Sequence, residues 1–476
     1  MQRLAQFLQI VCEGSPMSMP KPPLGPQADR PINRLKSMYD LRAYVDSMYE
    51  GGGESKDDGQ PVAWGMLSIP TPILTAMGMK VVFPENYGTI CASAGAAAYF
   101  LERAESEGFP NHMCGYCRNG LGYAARMAEL GGAVPPEAPK GGIPKPSLLV
   151  GSGAVCDSRY KFFQALGRYL DVPVYIIESP AGGQRESLEE GAHERTVEFL
   201  IKEYTQFVEF LEKFLGRKMD WDKIGEVRSS KELDMVWWST NELRKARPCP
   251  MNSRDFWSSM SGALYKAGDA QKMTVLYRKM YDEVKFRVDN RIAGINREEK
   301  YRLTFEGLPP WHSLGFFDKL AERGWNFVHE SNYHPSRPVD IDLTHISDPM
   351  ERYVRSNHQG LAASIDRDFD PAEASQIKEE IKRQGFSNRL AAKNVREFQC
   401  DGAFLHPLLT CRAFTAPLYL YQKQLMDTYK VPSLILEGDI VDLTLFDPVA
   451  GLKKAEAFEE TMDYYRQVRK KEGLPW

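Results

Sequence analysis

The chain has 476 residues, 43% hydrophobic and 26% charged, the ordinary balance of a soluble globular protein; one core seldom organises so many residues, so two or three domains are expected. Sixty Lys and Arg against 64 Asp and Glu leave a formal charge of −4, which offers no basic field to nucleic acid or to an anionic membrane surface. No stretch approaches the roughly 20 apolar residues of a membrane span.

Residues 1–60 read as an N-terminal helical arm. Met1 to Cys12 is partly apolar but has no small-residue cleavage site, so it is taken as an amphipathic helix, and the cytoplasm is the default compartment. A Pro-rich run, a helix over Ile32 to Tyr49 and a joint at Gly51-Gly52-Gly53 follow. From there short apolar runs alternate with helical patterns, which predicts an α/β lobe over residues 61–230. Its expected strands are Val62–Leu67, Lys80–Phe83, Ser147–Gly151 and Val172–Glu178; its helices include Pro72–Met77, an Ala-rich helix over Thr89–Glu105, and Arg159–Tyr169. Long charged helical patterns, from Glu189 to Gly216 and from Lys231 to Ile295, carry no strand runs, and residues 231–300 form a helical connector. A second α/β lobe is expected over 301–476, with strands at Arg302–Phe305, Trp325–His329, Gly402–Leu405 and Val431–Glu437.

Two parts of this pattern match each other. A strand, a cysteine (Cys156), an amphipathic helix and a strand opening Val172-Pro173 are repeated as a strand, Cys411, a helix over Leu418–Tyr429 and a strand opening Val431-Pro432. The fold is therefore read as two Rossmann- or flavodoxin-like doubly wound lobes with parallel sheets, plus the helical arm and connector. In such sheets ligands bind beyond the carboxyl ends of the strands, where strand order reverses. Both cysteines fall there, each before a helix whose N-terminal dipole is expected to lower a thiol pKa.

Eight cysteines are too few in this length for a disulfide scaffold. Reduced thiols serve metal binding, catalysis or packing. Cys114-Gly115-Tyr116-Cys117 is by itself a weak signal, and no second Cys-x-x-Cys or His pair completes a zinc site. Cys12 and Cys249 read as buried small hydrophobes. Cys91 and Cys400 read as structural, although with Cys114 they leave a larger cluster open. The chain has no Gly-x-x-x-x-Gly-Lys-Ser/Thr loop, dinucleotide fingerprint or Gly-x-Ser-x-Gly elbow.

From about Val62 to the C-terminus the sequence resembles the 2-hydroxyacyl-CoA dehydratase and ATP-dependent benzoyl-CoA reductase family, and its larger subunit in particular. The resemblance is carried by Phe83-Pro84-Glu85-Asn86, by Cys114-Gly115-Tyr116-Cys117 with Leu121-Gly122-Tyr123-Ala124, by Phe305-Glu306-Gly307-Leu308-Pro309, and by Asp401-Gly402-Ala403-Phe404-Leu405-His406 leading to Cys411. It implies a 4Fe–4S cluster on Cys117, Cys156 and Cys411, choosing Cys117 over Cys114, with the fourth iron position free. It also implies a paralogous second subunit, an ATP-hydrolysing activator with its own 4Fe–4S cluster, and a CoA-thioester substrate.

The resemblance has departures. Where dehydratase subunits carry a Ser-rich stretch and Pro-Cys-Glu, this chain reads Trp64-Gly65-Met66-Leu67-Ser68-Ile69-Pro70-Thr71-Pro72. That apolar run, with the Cys156-Asp157 corner and Glu437-Gly438-Asp439-Ile440-Val441-Asp442, favours an aryl-CoA (benzoyl-CoA) reductase over a 2-hydroxyacyl-CoA dehydratase. A non-catalytic electron-relay subunit and a double-cubane reductase of small molecules are the further alternatives. Glu85 is a candidate proton donor and His406 a candidate catalytic residue. The competing readings are a helix-start carboxylate for Glu85 and a core histidine held by a backbone carbonyl for His406.

Overall fold

The computed structural model describes residues 30–49, 59–153, 156, 158–180, 182–227, 230–265, 269–338, 341–474 and 476; Cys12, the Gly51–Gly53 joint and Asp157 lie outside them. Two four-stranded sheets, parallel throughout, organise the chain. The first contains β1 (Val62–Gly65), β2 (Lys80–Val82), β3 (Leu148–Ser152) and β4 (Val174–Ile177) in the order β2-β1-β3-β4. The second contains β5 (Tyr301–Glu306), β6 (Trp325–Glu330), β7 (Gly402–Leu405) and β8 (Ser433–Ile435) in the order β6-β5-β7-β8. The two orders are the same, so each strand of one lobe has a counterpart in the other. The α/β architecture expected from the repeated strand–Cys–helix unit is the one observed.

These short strands are largely buried on both faces, which removes the need for polar alternation. Every residue of β3, β5, β6 and β7 is buried. In both lobes the order reverses between the first and third strands (β1/β3 and β5/β7). The loops after those strands therefore open onto the crevice where α/β sheets bind ligands.

Most predicted elements appear within a few residues of the expected bounds, and Leu418–Tyr429 appears as read. The Ala-rich helix does not. It is two helices, Pro84–Ser93 and Ala97–Ser106, separated at Gly95. Gly95 has φ +74°, its N–H donates to Ala92 and that of Ala96 to Cys91, which closes the first helix in a Schellman turn. The break lets the second helix lie tightly against Gly115–Glu129, where a methyl on Gly122 would strike the Phe100 carbonyl.

The connector contains the helices Ser230–Leu243, Ser253–Tyr265 and Ala270–Asp289. It is tied to the second sheet by the Arg244–Glu330 pair, whose side chains are both fully buried and meet in a fork at 2.5 and 2.8 Å. The described part of the N-terminal arm docks on this connector. Glu283 accepts the N–H groups of Lys36 and Ser37 at 2.9 and 2.8 Å and so caps the helix Ser37–Ser47. No helix among the described residues is long and apolar enough to cross a membrane.

Glu306, at the carboxyl end of β5, is buried and accepts hydrogen bonds from Thr304 Oγ1 (2.6 Å) and Tyr421 OH (3.2 Å), yet burial still pushes its pKa up to about 7. The folded state thus holds this proton more tightly than the unfolded chain does. The carboxyl costs little at low pH and destabilises increasingly as pH rises through about 7. Glu306→Gln is expected to gain about 2–3 kcal/mol relative to wild type between about pH 5 and about pH 8.5, measured by urea denaturation at the two pH values.

Candidate functional site

Each corner of the crevice follows from a strand end. Cys156 lies in the loop after β3, just before the helix Ser158–Leu170, and Cys411 is the N-cap of the short helix Arg412–Thr415 in the loop after β7. Cys114 is the N-cap of the helix Gly115–Glu129, which places Cys117 inside its first turn rather than ahead of it. Cys117 is buried, and Cys114, Cys156 and Cys411 are half-buried.

The thiols act on one another. Cys114 and Cys117 lie side by side and share a proton unequally: the neighbouring thiol lowers the Cys114 pKa, while the same neighbour and burial raise that of Cys117. The charge of Cys156 is felt at Cys117 and Cys411, and that of Cys114 at Cys156 and Cys411. The four thiols therefore lie within electrostatic reach of one another, Cys411 from the second lobe and the other three from the first. The helix dipoles do not decide their protonation. Burial raises Cys156, despite Ser158 and Arg159, and pushes Cys411 up to about 11, despite the N–H groups of Phe414 and Ala413. Desolvation outweighs the half charge of a helix end.

Among the described residues no group of three or more His, Cys, Asp or Glu is drawn together closely enough to hold a metal ion. The donor set is nevertheless all sulfur, the ligand type of iron–sulfur groups, and a four-iron cluster spreads its thiolates further apart than a single ion does. Cys91 is fully buried beside Tyr87 and Asn119, while Cys400 and Cys249 are buried near Arg302. The crevice takes in Cys114 and leaves these three in the core.

Glu85 stands in the first turn of Pro84–Ser93, and a guanidinium fork from Arg159 meets it at 3.2 and 3.1 Å. Arg159 Nη1 also donates to the Leu67 carbonyl at 3.1 Å. One buried ion pair thus ties together the loops after β1, β2 and β3 and fixes the corner that carries Cys156. His406 lies in the aromatic core, 1% exposed, with rings of Phe305 and Phe446 at 5.7 and 5.9 Å. Its Nδ1 faces the Leu308 carbonyl at 2.7 Å, and burial lowers its pKa to about 4. This is the geometry of a neutral core histidine.

Three groups near the thiols were given no role by the sequence reading. Tyr333 has φ +67°, a left-handed conformation in a non-glycine residue, and its hydroxyl pairs with Tyr116 and faces Glu85, Arg159 and Cys411. Tyr116 OH in turn accepts the Trp311 indole N–H at 2.8 Å, from the other lobe. Asp439, fully buried, accepts the N–H groups of Val441 and Asp442 at 2.8 Å each and lies against Gly115. Tyr116 and Asp439 stand in segments that the sequence reading quoted without giving either residue a role; Tyr333 has no motif of its own.

A methyl at Gly115 would meet Asp439 Oδ1 and the Val441 side chain, so Gly115→Ala is expected to cost about 1–3 kcal/mol by forcing the lobes apart. Gly315→Ala, where nothing lies within 4 Å, is the neutral comparison; thermal unfolding of the two variants side by side measures the difference.

The family model described as 2-hydroxyglutaryl-CoA dehydratase, D-component, matches residues 66–462. The (R)-phenyllactyl-CoA dehydratase alpha subunit of Clostridium sporogenes is 25% identical over 449 residues, covering 94% of this chain and 99% of that protein. The (R)-2-hydroxyisocaproyl-CoA dehydratase alpha subunit of Clostridioides difficile is 22% identical, covering 89% and 95%. A benzoyl-CoA reductase subunit of Thauera aromatica is 24% identical, covering 76% and 79%. With the family match running from residue 66, just after β1, to residue 462 and taking in Cys114, Cys117, Cys156 and Cys411, the chain belongs to the 2-hydroxyglutaryl-CoA dehydratase D-component family, which takes in dehydratase alpha subunits and homologues of this benzoyl-CoA reductase subunit.

Proposed function

We propose that this chain is the cluster-bearing subunit of a 2-hydroxyacyl-CoA dehydratase-type enzyme, with Cys117, Cys156 and Cys411 holding a 4Fe–4S cluster. The observation that carries the reading is the near full-length match to dehydratase alpha subunits, and the convergence of thiols from three distant segments supports it. It reverses the preference for a reductase drawn from Trp64–Pro72. When bound, the cluster supplies low-potential one-electron chemistry at a CoA thioester.

The chain's own residues would do the rest. The Glu85–Arg159 fork holds the Cys156 corner, which makes Glu85 a positioning residue in this reading, and the charge of Cys114 is felt at Cys117. Met66 and Ile69, buried in the loop after β1, add apolar surface beside the Leu67 carbonyl that Arg159 holds. Tyr333 keeps its proton, because burial raises its pKa, and its hydroxyl faces the crevice. It is the group assigned to protonate the departing hydroxide, so that the C–O bond breaks and water leaves. A paralogous second subunit and a separate ATP-hydrolysing activator belong to the same reading, as the chain has no phosphate-binding loop of its own.

The aryl-CoA reductase reading keeps one specific support. The apolar stretch Trp64–Pro72 includes the fully buried Trp64 and Met66, with Ile73 just beyond it, and such a wall also suits an aromatic acyl group. Turnover of a 2-hydroxyacyl-CoA in preference to benzoyl-CoA, with activator and ATP, supports the dehydratase; the reverse preference establishes the reductase, and turnover of neither with the cluster intact points to an electron relay. Iron and sulfide analysis after anaerobic purification should find about four irons per chain. About eight would indicate the larger cluster, and none would defeat the proposal. Cys117→Ser, Cys156→Ser and Cys411→Ser should each lose iron while Cys91→Ser and Cys400→Ser retain it. Tyr333→Phe should keep its iron and lose about 100-fold in turnover, as removal of a positioned acid does.

A further inference from the structure

A second cavity of about 470 Å³ lies at the other end of the second sheet, lined by Arg247, Lys300, Arg302, Arg466, Arg469 and Lys470 against only Glu299 and Asp401. Lys300 and Arg302 stand at the amino end of β5 and Asp401 immediately precedes β7, whereas Cys411 follows the carboxyl end of β7. At about 3.3 Å per residue, the six-residue β5 separates the two ends by about 20 Å, so this cavity is no part of the thiol crevice.

Its charges are unevenly matched. Arg302 pairs with Glu299 at 2.8 Å and donates to the carbonyls of Phe398 and Ala246. Asp401 serves two guanidinium groups, Arg466 at 2.7 Å and Arg469 at 3.2 Å; Asp463 stands 3.9 Å from Arg466, and Arg469 also donates to the Lys430 carbonyl at 3.2 Å. Lys300 reaches Glu459, which Arg323 shares. Arg247 and Lys470 are exposed, and neither has a carboxylate partner among the described residues. Arg247 has only the Gln399 carbonyl, at 3.5 Å. Arg469 is 1% exposed, and its Nε is buried without any hydrogen-bond partner. Helix C-termini do attract cations, but they carry about half a negative charge, too little for this excess. Planar guanidinium forks beside lysine ammonium groups match phosphate oxygens, and Leu474 and the Trp476 indole add an apolar wall.

We propose that this cavity binds a di- or triphosphate-bearing anion, with Arg247, Arg466, Arg469 and Lys470 as its ligands. Inorganic pyrophosphate and a nucleoside diphosphate share that chemistry and differ in what they offer the Trp476 wall. Isothermal titration calorimetry of the full chain with pyrophosphate and with ADP, in about 150 mM NaCl, separates them. Saturable one-site binding, weakened about tenfold or more in Arg247→Ser/Lys470→Ser, supports the site. Tighter binding of ADP adds the indole wall to the recognition, and equal binding restricts recognition to the phosphates. Circular dichroism and melting of the double variant, altered only at exposed side chains, separate lost binding from lost fold. The absence of saturable heat with either anion, or an affinity that the double variant leaves unchanged, overturns the proposal.

Discussion

Arg118 is the residue on which the two-lobed arrangement turns. It is fully buried, one turn into the helix that bears Cys117, and all its nitrogen atoms are engaged: Nε with the Met113 carbonyl at 3.1 Å, Nη1 with Glu105 at 2.7 Å, and Nη2 with Asp442 at 2.7 Å. Two of these partners belong to the first lobe and one to the second. A buried ion pair of this kind adds little net stability, because desolvation takes back most of the Coulombic gain. Its effect is registration, since breaking it leaves a charge stranded at a cost of about 3–5 kcal/mol. The helix N-terminus and the loop after β8 therefore have one relative position, and the thiols inherit it.

That registration matters because neither lobe holds the crevice alone. The shared strand order places a switch point in each sheet, and the lobes face each other so that the corners after β3 and β7 point into one space. Trp311 reaches across to Tyr116, and His312 Nε2 meets the Asp439 carbonyl at 3.0 Å, so the same loops that close the interface also line the site. The Glu437–Asp442 run is part of this interface through Asp439 and Asp442, and its residue choices report the docking of the lobes as much as any substrate.

Much of this was legible in the sequence because it was local or repeated. Strand, cysteine, helix and Val-Pro recur in the same order, and parallel sheets write their strands as continuous apolar runs. The helix break at Gly95 was hidden inside good helix formers, and only the left-handed glycine marks it. The helix dipole suggested acidic thiols at Cys156 and Cys411, but burial depends on what the opposite lobe brings up, which a local reading does not contain. The Glu85–Arg159 fork joins residues 74 positions apart, and Tyr333 reaches the crevice from a segment without periodicity. Such pairings follow from topology rather than from any motif.

The division of the crevice between lobes has a consequence for biosynthesis. A nascent chain that has just completed the first sheet presents Cys114, Cys117 and Cys156 with the wall supplied by Trp311, Cys411 and Asp439 still unmade. The full set of thiols meets only after the last parallel strand has closed and the loop behind it has docked. Any cargo requiring all of them must therefore be installed after translation, into an almost finished protein.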